Sequence, residues 1–366
     1  MDSRLRCPVA QIDLAALRHN ARVARRYAGK RQILAAVKAD AYGHGMIPVA
    51  RALADLVDGM IVATVGEGEA LRKAGITQRI MVLQGFSDLA EASRCARAML
   101  EPVIHDLSQV AILDTGSTGL PLTIWLKFDS GMHRLGLSPG ELSVALSRLK
   151  GIEGVRKPFQ LMTHFARADE RDHNYTAEQI AQFNLVLQSH RQLIGQTSLA
   201  NSAGTLGWPQ AGGDCVRPGI MLYGGNPFVD GRAADFDLKP VMHLRTRLIA
   251  VRRLNAGDPV GYGGSWVAPE DMPVGVAAIG YGDGYPRHAP SGTPVAVNGQ
   301  RARLVGRVSM DLIMIDLRGI QAAVGDPVEL WGDQVHADEV AQVSGTIAYE
   351  LFCAVSGRVH RQYFQK

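Results

Sequence analysis

The sequence predicts an α/β protein: a (β/α)8 TIM-like barrel followed by a smaller β-rich C-terminal domain. Three observations carry that reading. From about residue 12 to about 230, short apolar runs alternate with amphipathic helical patterns. Eight such runs are present, the number that closes a barrel. From about residue 238 the texture changes to strand-like runs broken by Gly, Pro and Asp turns.

The eight runs are QILAAVKAD (32–40), GMIVATV (59–65), RIMVLQG (79–85), EPVIHD (101–106), LTIWLKFDSG (122–131), FQLMTHFA (159–166), TSLANS (197–202) and VRPGIMLYG (216–224). Short, apolar and often β-branched, they read as buried parallel strands. Helical patterns separate them. IDLAALRHNARVARRYA precedes the first run, and MIPVARALADL, GEGEALRKAG, SDLAEASRCARAM, SPGELSVALSRL and TAEQIAQFNLVLQSHRQLIG follow later ones. Ser138-Pro139 supplies a cap and first turn, and Gly75 stands just past a helix end. The rival architecture is an open doubly wound sheet, but no G-x-G-x-x-G follows any of the runs. In the second region the strand-like runs are LRTRLIAVRRL, PVGVAAIGYG, TPVAVNG, ARLVGRVSMDLIMIDL and DPVELWG. FVDGRAADFDLKP (228–240) reads as the linker, which divides the chain into 1–235 and 236–366. No internal repeat or low-complexity tract is evident.

Length and composition agree with two folded domains. A chain of 366 residues is too long for one small core. With 46% hydrophobic and 20% charged residues it reads as globular rather than disordered. The net charge of +4 is small, and no aromatics interleave with a basic run, so nucleic acid is not an expected partner. A mildly positive cleft for an anionic ligand accounts for the excess. Cys7, Cys95, Cys215 and Cys353 are far apart and form no C-x-x-C pair. That argues against a zinc site and a disulfide framework, so each reads as a plain buried residue in a reducing cytoplasm. MDSRLRCPVAQIDL lacks the apolar core of a signal peptide, and no stretch approaches the ~20 apolar residues that span a bilayer. The expectation is a cytoplasmic protein with no membrane partner and no metal.

In such barrels functional groups cluster at the C-terminal ends of strands. The first run ends Val37-Lys38-Ala39-Asp40-Ala41-Tyr42-Gly43-His44. Burying an ammonium is costly and lowers its pKa, so a lysine inside an apolar run is a Schiff-base candidate. The plain alternative is a lysine snorkelling to the strand end or paired with Asp40. The fifth run carries Lys127, then Asp129 and Arg134; the sixth ends Thr163-His164; the seventh ends Asn201-Ser202; the eighth carries Arg217-Pro218-Gly219-Ile220 and Tyr223. Singly, His164 or Arg217 reads as an ordinary paired residue. Together they converge on one rim. Backbone N–H groups near Ser202 and at Gly219-Ile220 suit a phosphate. A lysine, a phosphate cradle and an arginine in one barrel mouth describe a pyridoxal phosphate site. The second region adds Gly261-Tyr262-Gly263-Gly264, the run 280–285 with Tyr281, and the run 306–311 with Met310 and Asp311. A tyrosine between glycines sits in a turn, where its hydroxyl either projects or packs on the surface.

AVKADAYGHG strongly resembles the cofactor-lysine signature of bacterial alanine racemases. The likeness continues in order through WLKFDSGMHRLG, THFARAD, SLANSAG, RPGIMLYG, GYGGSW, GYGDGYPR and GRVSMD. The resemblance implies interconversion of L- and D-alanine through a pyridoxal 5'-phosphate aldimine by a two-base mechanism. Lys38 would hold the cofactor and act on one face of the substrate. Tyr262 would act on the opposite face and come from the partner subunit of a homodimer. Tyr42, Ser202, Gly219 and Ile220 match phosphate-binding positions, with Asn201 beside them. Arg217 matches the arginine facing the pyridine nitrogen, and His164 a residue near it. Arg134 and Met310 match substrate-carboxylate positions. Lys127, carbamylated in many relatives, would orient the arginine; Tyr281 would line the entrance, and Asp311 would be a further supporting residue.

The chain departs from part of the family at Gly357, where some relatives carry a tyrosine that contacts the acid/base tyrosine. The nearest alternative is a racemase of another small amino acid, such as serine, or one of broad specificity. A decarboxylase of the same plan is disfavoured by the Lys38/Tyr262 pair, and a non-catalytic cofactor binder by the second domain. The motifs fit equally a supplier of D-alanine for peptidoglycan and a catabolic enzyme.

Overall fold

The structure is a computed structural model and describes residues 8–365. A first strand, β1 (Val9–Asp13), leads into α1 (Leu14–Ala28). Asp13 caps that helix by accepting from the Ala15 and Ala16 amides at 2.8 and 3.0 Å. The barrel follows: β2 (Gln32–Ala36), β3 (Gly59–Val62), β4 (Arg79–Val82), β5 (Glu101–Ile104), β6 (Trp125–Lys127), β7 (Phe159–Met162), β8 (Ile194–Ser198) and β9 (Cys215–Val216). Every neighbouring pair is parallel, and β2 pairs with β9 to close the cylinder. Helices α2 (Lys38–Tyr42), α3 (Met46–Leu53), α4 (Val65–Lys73), α5 (Leu89–Arg97), α6 (Leu107–Asp114), α7 (Pro139–Gly151), α8 (Tyr175–His190) and α9 (Ser202–Gly207) occupy the crossovers.

The predicted (β/α)8 barrel is therefore present, with differences in detail. The seventh strand lies a few residues earlier than 197–202. The eighth shrinks to two residues, because Pro218 follows and Ile220–Tyr223 winds into a 3-10 turn. The first strand ends at Ala36 rather than Asp40. Arg79 fills the opposite end of the barrel. It pairs with Glu101 at 2.8 Å and donates to the Gln32 and Gln196 side chains at 2.7 Å. That end is sealed by a structural plug.

The second region forms an eight-stranded sheet of order β13-β16-β15-β14-β17-β10-β1-β18. Its strands are β10 (Met242–Leu254), β13 (Met272–Ala277), β14 (Pro294–Val297), β15 (Gln300–Val305), β16 (Ile313–Asp316), β17 (Pro327–Trp331) and β18 (His360–Phe364), with β1 between β10 and β18. A small hairpin, β11 (Pro259–Val260) and β12 (Trp266–Val267), projects from it. Helices α10 (Ala337–Val343) and α11 (Ala348–Ala354) precede β18. The single run expected over 302–317 splits into β15 and β16, because Gly306 takes φ 73° and turns the chain out. The hairpin rests on its own small core of Val260, Ala268, Met272, Val274 and Val305.

Among the described residues no helix is long and apolar enough to cross a membrane. Cys95 and Cys215 are buried free thiols. Cys353 was expected to be buried and is exposed, because the last turn of α11 ends at the barrel mouth. Cys7 lies outside the described residues.

Candidate active site

Lys38 follows β2 at the C-terminal rim, and the chain then does something the sequence does not announce. Ala39, Asp40, Ala41 and Tyr42 all take positive φ, between 52° and 55°. One turn of left-handed helix costs L-residues roughly 1–2 kcal/mol each, so surrounding contacts must hold it. Several are visible. The Ala39 amide donates to Glu67 at 2.9 Å, and the Met46 amide to Asp40 at 2.7 Å. His44, fully buried, donates from Nδ1 to the Tyr42 carbonyl at 2.9 Å. Its ring packs on Tyr223 at 4.5 Å and on Phe352 of α11 at 5.0 Å. Arg361 of β18 donates to the Gly43 carbonyl at 2.7 Å. The second domain thus braces the turn that presents Lys38. Burial, then the nearby Arg134 guanidinium, lowers the Lys38 ammonium pKa.

The other rim residues converge on it. Lys127 ends β6; burial, then Arg134 and Arg217, push it down to about 8. Arg217, only 5% exposed, donates to Ser198 Oγ and the Thr163 carbonyl, both at 2.6 Å, and to the Leu199 carbonyl at 3.1 Å. His164 Nδ1 lies 3.3 Å from the same guanidinium. Arg217 has been pushed down to about 10 by burial yet stays cationic at neutral pH. His164 is lowered by burial and then by Arg217, which keeps it neutral. Arg134 is exposed in the loop after β6. The cluster is a positive pocket suited to an anion.

Beside it lies a cradle. Asn201 caps α9 by accepting from the Gly204 amide at 2.8 Å. Ser202 Oγ, buried, accepts from the Gly219 amide at 2.8 Å, next to Ile220. Tyr42 stacks on Tyr223 at 5.0 Å, and its hydroxyl would lie 2.6 Å from a Cβ built on Gly219. Only glycine leaves that space open. The opening, hydroxyls and amides fit a phosphate-bearing cofactor.

The second-domain residues are placed differently. Tyr262 sits at the tip of the β11–β12 hairpin with 67% of its surface exposed. Tyr281 is also exposed, in the 280–284 turn. The Tyr281 amide donates to the Ser309 carbonyl at 3.0 Å and the Gly282 amide to Met310 at 2.8 Å, so the turn is zipped to the 306–312 loop. Arg358 ties the two loops by reaching Asp283 at 3.3 Å and Asp311 at 2.7 Å. A side chain at Gly357 would meet nothing within 4 Å, so the departure there leaves open space.

Sequence reasoning missed Glu67, His44 and Arg361 as supports of the lysine turn. Glu67 had a signal, the capping box Thr64-x-x-Glu67 at the start of α4. His44 stood inside AVKADAYGHG, where only the lysine and the phosphate-position tyrosine were read, and Arg361 had no signal, since it acts across the fold.

The chain is similar to known proteins over nearly its whole length. The family model described as alanine racemase, N-terminal domain, matches residues 12–227, and that for the C-terminal domain matches 241–363. Alanine racemase of Halorhodospira halophila is 52% identical over 96% of this chain and 96% of its own length. The catabolic alanine racemase of Pseudomonas putida is 50% identical over 97% of this chain and 98% of its own. The crystal structure of biosynthetic alanine racemase from Pseudomonas aeruginosa superposes with a TM-score of 0.94. It is 46% identical and covers 98% of this chain and 99% of that one.

Proposed function

The chain belongs to the alanine racemase family and is an amino-acid racemase acting on alanine; from that premise we propose that Lys38 and Tyr262 are its two acid/bases, with pyridoxal 5'-phosphate as cofactor. The observation that carries the proposal is the rim itself. A lysine with a weakened ammonium faces a cationic pocket and a glycine-lined hydroxyl cradle. When bound, the cofactor would stabilise the negative charge left on the substrate α-carbon after its proton departs.

The chain's own residues supply the rest. Tyr42, Ser202, Asn201, Gly219 and Ile220 would hold the phosphate. Lys38 would hold the cofactor and would move the proton on one face of the substrate α-carbon. Arg217 stays charged and would meet the cofactor ring, where it would disfavour protonation of the ring nitrogen and limit side reactions. Arg134 and the Met310 amide bind the substrate carboxylate, and Tyr281 lines the approach. Lys127, with a pKa near neutrality, has a neutral amine fraction able to take up carbon dioxide as a carbamate. That anion would orient Arg134 within an otherwise cationic cluster. An added mass of one carbon dioxide on the peptide carrying Lys127 would confirm it.

Tyr262 must meet the opposite face of the same carbon. With two thirds of its surface open, it is not enclosed by its own barrel. We place it in the mouth of a second copy, so the working unit is a homodimer with shared sites. Residues 1–235 then carry the cofactor and 236–366 the second base, and the scattered free thiols suit a cytoplasmic enzyme. Borohydride reduction of the holoenzyme and tryptic mapping test the premise. The reduced adduct is expected on Lys38; an adduct on another lysine would overturn the assignment.

A further inference from the structure

We propose that His243, Glu329 and Asp333 form a divalent-metal site of the zinc type on the second domain. One ligand atom from each of the three lies within 4.8 Å of the others. His243 is on β10, Glu329 on β17, and Asp333 in the turn just after β17. None of them serves the racemase reaction derived above.

Two features separate this cluster from ordinary surface acids. His243 is 3% exposed, and its Nδ1 is buried with no hydrogen-bond partner. The nearest carboxylate oxygen, on Asp333, is 3.6 Å away, beyond hydrogen-bond reach. An orphaned ring nitrogen aimed at two carboxylates costs free energy unless something fills the gap. The backbone also makes room for it. Gly332 takes φ 154°, and a Cβ there would stand 2.7 Å from His243 Nδ1 and about 3 Å from the Glu329 carboxylate.

Burial keeps the His243 imidazole neutral, which is the ligand form. Glu329, 8% exposed, is already oriented, because its Oε1 accepts from the Gln334 amide at 2.7 Å. Arg245 donates to its Oε2 at 3.1 Å and lies 3.6 Å from Asp333. That guanidinium matches one of the two carboxylates and leaves the other negative charge unmatched. Asp333 is exposed in a turn and can swing inward, while His243 and Glu329 stay fixed. One imidazole and two carboxylates, with a position left for water, suit zinc or a similar first-row ion better than magnesium. The metal would pin the turn after β17 onto β10, which also pairs with β1 and β13.

Zinc is the probe, added to metal-stripped, untagged holoenzyme. Stoichiometric retention after dialysis is expected, with a rise in melting temperature. His243→Gln and Asp333→Asn should each lose that retention and that rise, while racemase activity without zinc stays unchanged. Asp333→Asn is exposed and keeps the test valid if His243→Gln folds poorly. No retained zinc in the parent protein, or equal retention by the folded variants, overturns the proposal; the latter result would place any zinc elsewhere.

Discussion

At the barrel mouth Arg217 is 5% exposed and fully engaged, whereas at the hairpin tip Tyr262 is 67% exposed and Met310, in the 306–312 loop, 53%. The mouth is set in advance: a left-handed turn held by Glu67, His44 and Arg361, and a guanidinium locked by hydroxyl and carbonyl oxygens. The second-domain loops are ordered within themselves but face solvent. One wall of the proposed site is built within a single chain, and the other, on our proposal, would serve a second copy. Preorganisation is expected at the wall proposed to bind the cofactor, since misplacing a reacting group by even an ångström costs rate steeply.

The largest effect should come from breaking the open wall alone. Tyr262→Phe keeps the ring and removes the hydroxyl. Racemisation should fall about 10²–10⁴-fold, the usual cost of a positioned acid/base, with cofactor binding nearly unchanged. By the family resemblance Lys38 serves D-alanine and Tyr262 serves L-alanine. Proton NMR in heavy water should then show α-proton exchange from D-alanine persisting while exchange from L-alanine stops. Equal residual exchange from both enantiomers would defeat the two-base assignment. The same variant tests whether the walls belong to different chains. Mixed with inactive Lys38→Ala subunits, it should regain activity, because one site of each mixed dimer has both groups. Verified heterodimers that stay inactive would return Tyr262 to its own barrel.

How far the sequence foretold each wall follows from the range of the forces involved. The eight apolar runs and the polar residues at their ends were legible, because strand burial and rim placement are written locally. The left-handed turn was not. Ala39, Asp40 and Ala41 have no intrinsic preference for positive φ, and contacts from α4, α11 and β18 impose it. The placement of β1 was equally hidden. Its five residues run straight into α1, yet they pair with β10 and β18, far away in the chain. Helix α6, from LSQVAILD, and the elements after residue 336 passed unread, because short apolar runs suit helix and strand alike. Tyr262 and Met310 were found by motif resemblance and by glycine-flanked turns, not by any burial signal.

A middle-sized effect should sharpen the claim that the closed wall depends on its braces. His44 is pushed down to about 4, first by burial, against an ordinary value near 6.5. The unfolded chain takes up that proton below about pH 6.5, and the folded chain only near pH 4. Stability from the neutral imidazole is therefore full above pH 6.5 and lost as the pH falls through that window. The loss amounts to about 3 kcal/mol. His44→Gln, which cannot titrate there, should be less stable at pH 7 yet show a flatter decline towards pH 4. Urea unfolding of both proteins across the window is the measurement. Parallel pH profiles would mean that His44 is not buried neutral beneath the lysine turn.

The smallest effect belongs to the open wall and concerns how its loops are held. Arg358 is exposed, so its ion pairs with Asp283 and Asp311 should add little to global stability. Their consequence is local. They join the 280–284 turn to the loop that offers the Met310 amide, and Gly282 lets the guanidinium approach, since a Cβ there would lie 2.5 Å from it. Arg358→Gln should leave the melting temperature nearly unchanged and raise KM for alanine on the order of a few-fold, with kcat much less affected. Such a split marks a positioning residue acting through substrate binding rather than through proton transfer. A large fall in melting temperature with KM intact would make Arg358 a structural tie. An equal fall in kcat and kcat/KM would extend its reach to the reacting atoms, and the open wall would then be more preorganised than its exposure suggests.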